Sequence, residues 1–346
     1  MTEAILRRNN HYVAQSYLKR WLASPGKICV YRTLVTHENV PLWTEKSIKG
    51  VARQQNLYTR KIAGFESDEI ERYFDQEFEF PAEEAIHKAV TGQCLTPDDW
   101  KKLVQNLAMH DLRTPARLME HLTTYEKRII SLLDNILDGL RTELETGPKQ
   151  GVSVLPTSVL SGGFPLRTII EDNKEEGSVR VKLETAVGRA SWLWSINHLL
   201  KGIAKVLHTH KWTIVRPAEG MYWPTSDNPV VKLNYYGEGK YDFKSGWGTA
   251  GAELLMPLSP QHLLYTWIGR KAPSRNNRCS MEQTQFIRRI IMENAHRRVF
   301  SHIVDPEIAK VIPRKVDAEL FEHEKKEWQN WHTEQTKSED YLLTKP

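Results

Sequence analysis

The stretch TPDDWKKLVQNLAMHDLRTPARLMEHLTTYEKRIISLLDNIL, residues 96–137, decides the fold class. Thr96 offers a side-chain cap, Pro97 fits the first helical position, and Asp99 follows three residues after the cap. Trp100, Leu103, Val104 and Leu107 recur at steps of three and four, the stripe of a helix buried on one face. Pro115 lacks an amide hydrogen and clashes with the preceding turn, so this helix ends after about Asp111. Tyr125, Ile129, Leu132, Ile136 and Leu140 resume the periodicity and predict a helix to about Glu145. Some thirty residues at 1.5 Å each span about 45 Å, the length of a central strut. Gly147 closes it, and residues 148–163 read as a Gly/Ser/Pro-rich loop.

Toward the N-terminus, Ser67-Asp68-Glu69, with Glu71 beyond, opens a helix to about Glu79. Its acidic first turn suits the positive end of the helix dipole. Pro81 breaks or restarts it, and a second piece runs to about Val90. Residues 12–22 predict a helix with Ala14, Tyr17, Leu18 and Trp21 on one face, capped by Asn9 or Asn10. KICVYRTL (27–34) and VARQQNLYT (51–59) read as strands. Toward the C-terminus, a helix is expected at about 186–209. KWTIVRP, PVVKLNYY, ELLMPLS and HLLYTWIG follow as strands, then a helix at about 281–299. The expected fold is α+β: a helical middle with a long central helix, flanked by mainly antiparallel β segments from both chain ends. Strands from the two ends would join one sheet. Residues 1–316 therefore read as a single intertwined domain, and 317–346 as a polar, Trp-containing docking helix or tail.

The chain has 346 residues and a net charge of +5, with 40% hydrophobic and 26% charged residues. Those are globular proportions. No run of about 18 apolar residues occurs, which excludes a transmembrane helix. The opening MTEAILRRNNHYVAQ has no apolar core of a secretory signal. Cys29, Cys94 and Cys279 are scattered and odd in number, which fits reduced thiols and a cytoplasmic setting. Charge is distributed unevenly. Residues 1–60 hold ten Lys/Arg against three Asp/Glu, residues 61–100 hold three against eleven, and residues 268–298 hold eight against two. Either the two basic segments form a nucleic-acid footprint, or they neutralise the acidic one across the fold.

Asn10-His11-Tyr12-Val13-Ala14-Gln15, followed by Tyr17-Leu18 and Trp21, resembles the opening signature of the bacterial family named domain of unknown function 4238. That signature is typically Asn-His-Tyr-Val-Pro-Gln; Ala14 stands here for Pro. Asn56-Leu57-Tyr58, Glu79 with Pro81-Ala82, Leu112-Arg113-Thr114-Pro115, Thr225-Ser226-Asp227-Asn228-Pro229-Val230 and Met256-Pro257-Leu258-Ser259-Pro260 resemble the family too, in family order over about residues 9–300. The resemblance implies one fold that carries these polar positions, and no activity.

Among those positions, His11 and Gln15 lie four apart and would share a helical face. Histidine there is a general base or metal ligand with Gln15 orienting water or substrate, or else the two satisfy neighbouring backbone. Arg113 at the helix break clamps a phosphate or carboxylate, or else binds freed carbonyls or pairs with Glu79. Asp227 either belongs to turn chemistry with Ser226, Asn228 and Pro229, or projects from a strand end into a site. Tyr12 and Asn228 are the adjoining substrate contacts. His11, Glu79 and Asp227 would together bind a divalent metal suited to phosphodiester hydrolysis. His208-Thr209-His210 either has the i, i+2 spacing of some metal sites on strands, or is a polar helix end with histidines near the dipole's negative end, the reading its place between helix and strand favours. The Arg289/His296 and Arg297/His302 spacings resemble those of helical ribonucleases, but 13 histidines supply such pairs by chance. Asn294 reads as a buried, hydrogen-bonded residue. No P-loop, dinucleotide fingerprint, H-E-x-x-H, G-x-S-x-G or CxxC pair occurs, and Ser161-Gly162-Gly163 reads as an ordinary connection. The expected function is a nuclease-like hydrolase acting on nucleic acid or a phosphorylated substrate, with a defence or toxin role conceivable. The alternative is a non-catalytic interaction or sensor protein, with a protein partner or a second copy of the chain on its long helix and tail.

Overall fold

The computed structural model describes residues 6–62, 65–146, 165–173 and 178–343. The helix Pro97–Leu112 forms with the capping box that its sequence predicts: Thr96 Oγ1 accepts from the Asp99 amide, and Asp99 bonds back to the Thr96 amide. It is buried along most of its length, against the helices Phe80–Val90 and Arg189–Leu207. Helix Pro115–Thr146 follows the proline break, 32 residues long, or about 48 Å. Its start is anchored by the buried Leu118, and it packs against Arg189–Leu207 and the strand Ser178–Thr185.

The β structure forms two main sheets. The larger runs Lys240–Asp242, Val231–Gly237, Glu253–Ser259, His262–Trp267, Thr213–Arg216 and Asn277–Arg278. It is antiparallel except for its last pair. The second sheet joins the two ends of the chain, in the order Thr225–Ser226, Arg298–Ser301, Lys27–Arg32 and Trp43–Ser47, antiparallel throughout. The fold is therefore α+β with mainly antiparallel strands. One large core cluster unites Tyr17 and Trp21 with Leu107, Ile196, Leu254 and Trp331, so residues from the first and last helices meet in it. Trp21 is fully buried, and its indole N–H donates to Trp223 O at 2.9 Å.

Several boundaries differ from expectation, each for a local reason. The first helix covers only Gln15–Leu18, continued by a 3-10 turn to Trp21, and Asn9–His11 is a strand paired with Arg53–Gln55. That short strand is all that forms of the one expected over 51–59. Asn10 is no helix cap, because the capping position falls on Ala14. Its amide side chain is buried instead, donating to Arg7 O and accepting from the Tyr58 amide. Pro81 does not break its helix. The helical course continues from Glu69 to Val90 through one π turn at Asp75–Glu79, and the wider turn makes room for the proline ring and its missing hydrogen bond. The helix expected to reach residue 299 stops at Glu293, and Arg298–Ser301 leaves as a strand. Leu166–Asn173 pairs with Ser178–Thr185 as an antiparallel hairpin, an element beyond those the sequence pattern predicts. The closing Gly147, the 148–163 loop and Ser161-Gly162-Gly163 lie outside the described residues.

Candidate functional site

The residues singled out from sequence separate into a core and two clefts. His11 ends its strand and Gln15 opens its helix. They do not share a helical face, yet Gln15 Nε2 reaches His11 Nδ1 at 3.4 Å. Both line a cleft of about 240 Å³ with Arg7, Glu71, Asp75 and Glu79. Arg113 is fully buried. Its Nη1 donates to Glu79 Oε1 at 2.6 Å, its Nε donates to Tyr12 O at 3.2 Å, and its guanidinium lies 5.6 Å from the Phe74 ring centre. Pairing with Glu79 is therefore its role in this structure. It lines neither cleft and has no surface on which to hold a phosphate.

Asp227 is a clamp between chain segments. Oδ1 accepts from the His296 amide at 2.8 Å and Oδ2 from the Arg297 amide at 2.9 Å. The Asn228 amide donates to Ser226 Oγ, the turn chemistry its sequence suggests. The Asn228 side chain donates to Asn294 O, accepts from Thr114 Oγ1, and is answered by Asn294 Nδ2 donating to Asn228 O and Val230 O. The buried Asn294 thus ends its helix by bonding a loop far away in sequence. His11, Glu79 and Asp227 do not meet, and no group of three or more His, Cys, Asp or Glu among the described residues could hold a metal ion. His208 and His210 do not form a ligand pair either; His210 Nε2 bonds Trp247 O at 2.7 Å.

The larger cleft, about 470 Å³, takes its walls from parts of the chain that sequence reasoning did not connect. Tyr12, Arg32, Arg53, Asp227, His296, Arg298 and Trp328 are among the residues that line it. Arg32 and Arg298 are directly opposite one another on neighbouring antiparallel strands. Like charges in that register oppose pairing, by about 0.2–1 kcal/mol on the scale of cross-strand pairs. Among the described residues neither guanidinium pairs with a carboxylate, and the Arg32 side chain makes no hydrogen bond. Burial first, and Arg298 second, lower the pKa of Arg32. Arg298 Nη1 donates to Tyr12 Oη at 2.9 Å. The Tyr12 oxygen first, and then the charge of Asp227, favour the Arg298 cation against burial. Arg297 and Glu324 line the same cleft as an ion pair, Arg297 gripping both carboxylate oxygens of Glu324 on the helix Ala318–Leu343. Burial lowers the pKa of His296 against the opposing pull of Asp227, so its ring is held neutral.

The signal for this site was in the charge pattern. Arg32 and Arg298 belong to the two basic segments, and the sheet that joins the chain ends lays one against the other. The acidic segment does not neutralise them there: Glu71, Asp75, Glu79 and Glu83 line the smaller cleft. No helix among the described residues is long and apolar enough to cross a membrane. A family model described as "Protein of unknown function (DUF4238)" matches residues 9–305. No curated protein and no solved structure matches the chain.

Proposed function

The chain belongs to the DUF4238 family, and we propose that it recognises a nucleotide unit, free or within a nucleic acid, in the arginine-lined cleft. The observation that carries this reading is the Arg32–Arg298 pair, two cations fixed opposite each other, neither of which forms an ion pair with a carboxylate among the described residues. A phosphate between them turns their repulsion into two sets of charge-assisted hydrogen bonds. Arg53 adds a third guanidinium to the wall, and the Tyr12 hydroxyl holds Arg298 in place. The volume suits one nucleotide. Trp328 and Phe321, from the C-terminal helix, line the same cleft and offer rings on which a base stacks.

Calorimetric titration with inorganic phosphate and adenosine monophosphate, and anisotropy with short labelled single-stranded RNA and DNA, test the reading. Arg32→Met and Arg298→Met should each weaken binding about tenfold or more, the equivalent of one charge-assisted contact. Trp328→Ala should weaken the nucleotide but leave inorganic phosphate unchanged. A nucleic-acid ligand is distinguished from a free nucleotide by a steep salt dependence. Absence of saturable binding by all four probes, or indifference to Arg298→Met, refutes the proposal.

Hydrolysis of the bound phosphoester is the second reading, and His296 favours it. A neutral imidazole beside paired arginines has the form of a general base next to charge-stabilising donors. Cleavage of an RNA and DNA panel, with and without Mg²⁺ or Mn²⁺, should then be lost in His296→Gln with nucleotide binding retained. Binding without turnover in every condition places the protein with sensors.

A further inference from the structure

His11 and Tyr12 are adjacent, yet His11 lines the smaller cleft and Tyr12 the larger. The smaller cleft is acidic. Glu71, Asp75, Glu79 and Glu83 recur at steps of four along one helical course. In a regular α-helix each such step drifts by about 40° around the axis. The π turn at Asp75–Glu79 is wider and takes back part of that drift, so all four carboxylates reach the same cleft. Asp75 pairs with Arg7 at 2.9 Å, and Glu79 pairs with the buried Arg113. Arg20 and Arg53 act on the edge of the cleft from a distance, through Glu83 and His11 respectively. Acids outnumber the cations that pair with them.

Glu71 is the half-satisfied member: its carboxyl accepts a hydrogen bond from the His11 backbone. Its Oε2 is buried and has no hydrogen-bond partner. Burial, opposed by Arg113, reinforced by Glu79 and opposed again by a hydrogen bond from the His11 backbone and by the charge of Arg7, pushes its carboxyl up to about 7. His11 offers no counter-charge, since burial lowers its pKa despite the nearby Lys49 backbone. At the rim, Phe80 exposes 76% of its surface. A carboxyl with one buried oxygen left unpartnered, surplus negative charge and an exposed ring at the mouth specify a cation with an apolar stem.

We propose that the cleft receives an alkylguanidinium or alkylammonium group, with its charged head against Glu71 and its stem along Phe80. The group comes either from a small amine or from an arginine or lysine side chain of a protein partner. Binding ionises Glu71, so part of a proton leaves the protein for each cation taken up near neutral pH.

Calorimetry at pH 7 with agmatine, and with a short arginine-containing peptide, tests this. The wild type should bind saturably, and the observed heat should vary with the ionisation enthalpy of the buffer. Glu71→Gln should weaken binding at least tenfold and abolish the buffer dependence. The exposed-site variants Phe80→Ala and Glu83→Gln should weaken it a few-fold with no change in melting temperature. Arg298→Met should bind agmatine like the wild type, which separates this site from the nucleotide cleft. Binding of the peptide alone assigns the cleft to a protein partner, and binding of both assigns it to the cation class at large. No saturable binding of either probe, equal affinity in Glu71→Gln, or heats independent of buffer would overturn the proposal.

Discussion

Arg32 and Asp227 represent opposite kinds of polar residue, and substitution separates them. Arg32 faces a like charge across its strand pair and has no bond to lose. Arg32→Met should therefore leave the melting temperature unchanged or raise it, by the equivalent of about 0.2–1 kcal/mol, while it costs phosphate binding. Asp227→Ala should do the reverse. It strips two backbone amides of their acceptor, at about 1–3 kcal/mol for each buried donor left unsatisfied, and should lower the urea midpoint. The turn role of Asp227 was legible in Ser-Asp-Asn-Pro because that chemistry is local. The pairing of Arg113 with Glu79 was legible as one of two readings. The Arg32–Arg298 pair was not, because strand register is decided by residues 266 positions apart, of which the sequence marked only that both segments are basic.

The C-terminal helix Ala318–Leu343 is held by a charged clamp. Arg189, fully buried at the start of its own helix, donates from Nε to Glu339 Oε1 at 2.9 Å and from Nη2 to Oε2 at 2.6 Å. Gln335 and His332 bond the same residue. Glu339→Ala leaves that buried guanidinium without its carboxylate, which costs about 3–5 kcal/mol; the exposed Glu322→Ala is the matched control and should be near neutral in urea unfolding. Glu324 acts differently, because it occupies Arg297 at the wall of the arginine cleft. Glu324→Gln should free that guanidinium and tighten inorganic phosphate binding, measured by calorimetry. Elements governed by neighbours in sequence were readable: the capping box at Thr96 and the break at Pro115 stand where the pattern put them. The π turn at Asp75–Glu79 was not readable, since a proline inside an amphipathic run fits either a break or a widened turn, and packing of Phe74 and Phe78 into the core selects the second.

Across the molecule, protonation sets opposing slopes of stability. Burial holds His121 and His262 at about 4, and burial with the charge of Arg113 pushes the fully buried His110 well below the usual 6.5. Unfolding returns each to about 6.5, so their contribution is complete above that pH and is lost as pH falls through about 4. Glu71 works the other way: its folded value is raised to about 7 from 4.5, so its contribution is present below 4.5 and is lost as pH rises through 7. Urea midpoints should fall from pH 6.5 to pH 4.5. His262→Gln should flatten that fall, and Glu71→Gln should raise the midpoint at pH 8 while leaving it unchanged near pH 4.5. The sequence by itself determined the α+β class, the helices of the middle, the strands of both ends and the segregation of charge, because periodicity, capping and proline act over a few residues. Tertiary structure alone decided which charges meet. It laid the two basic segments side by side in one sheet, sent His11 and Tyr12 into different clefts, and sealed Arg113 in the core. Strand register and burial are properties of the assembled chain, set by the sum of its contacts and by no one segment of it.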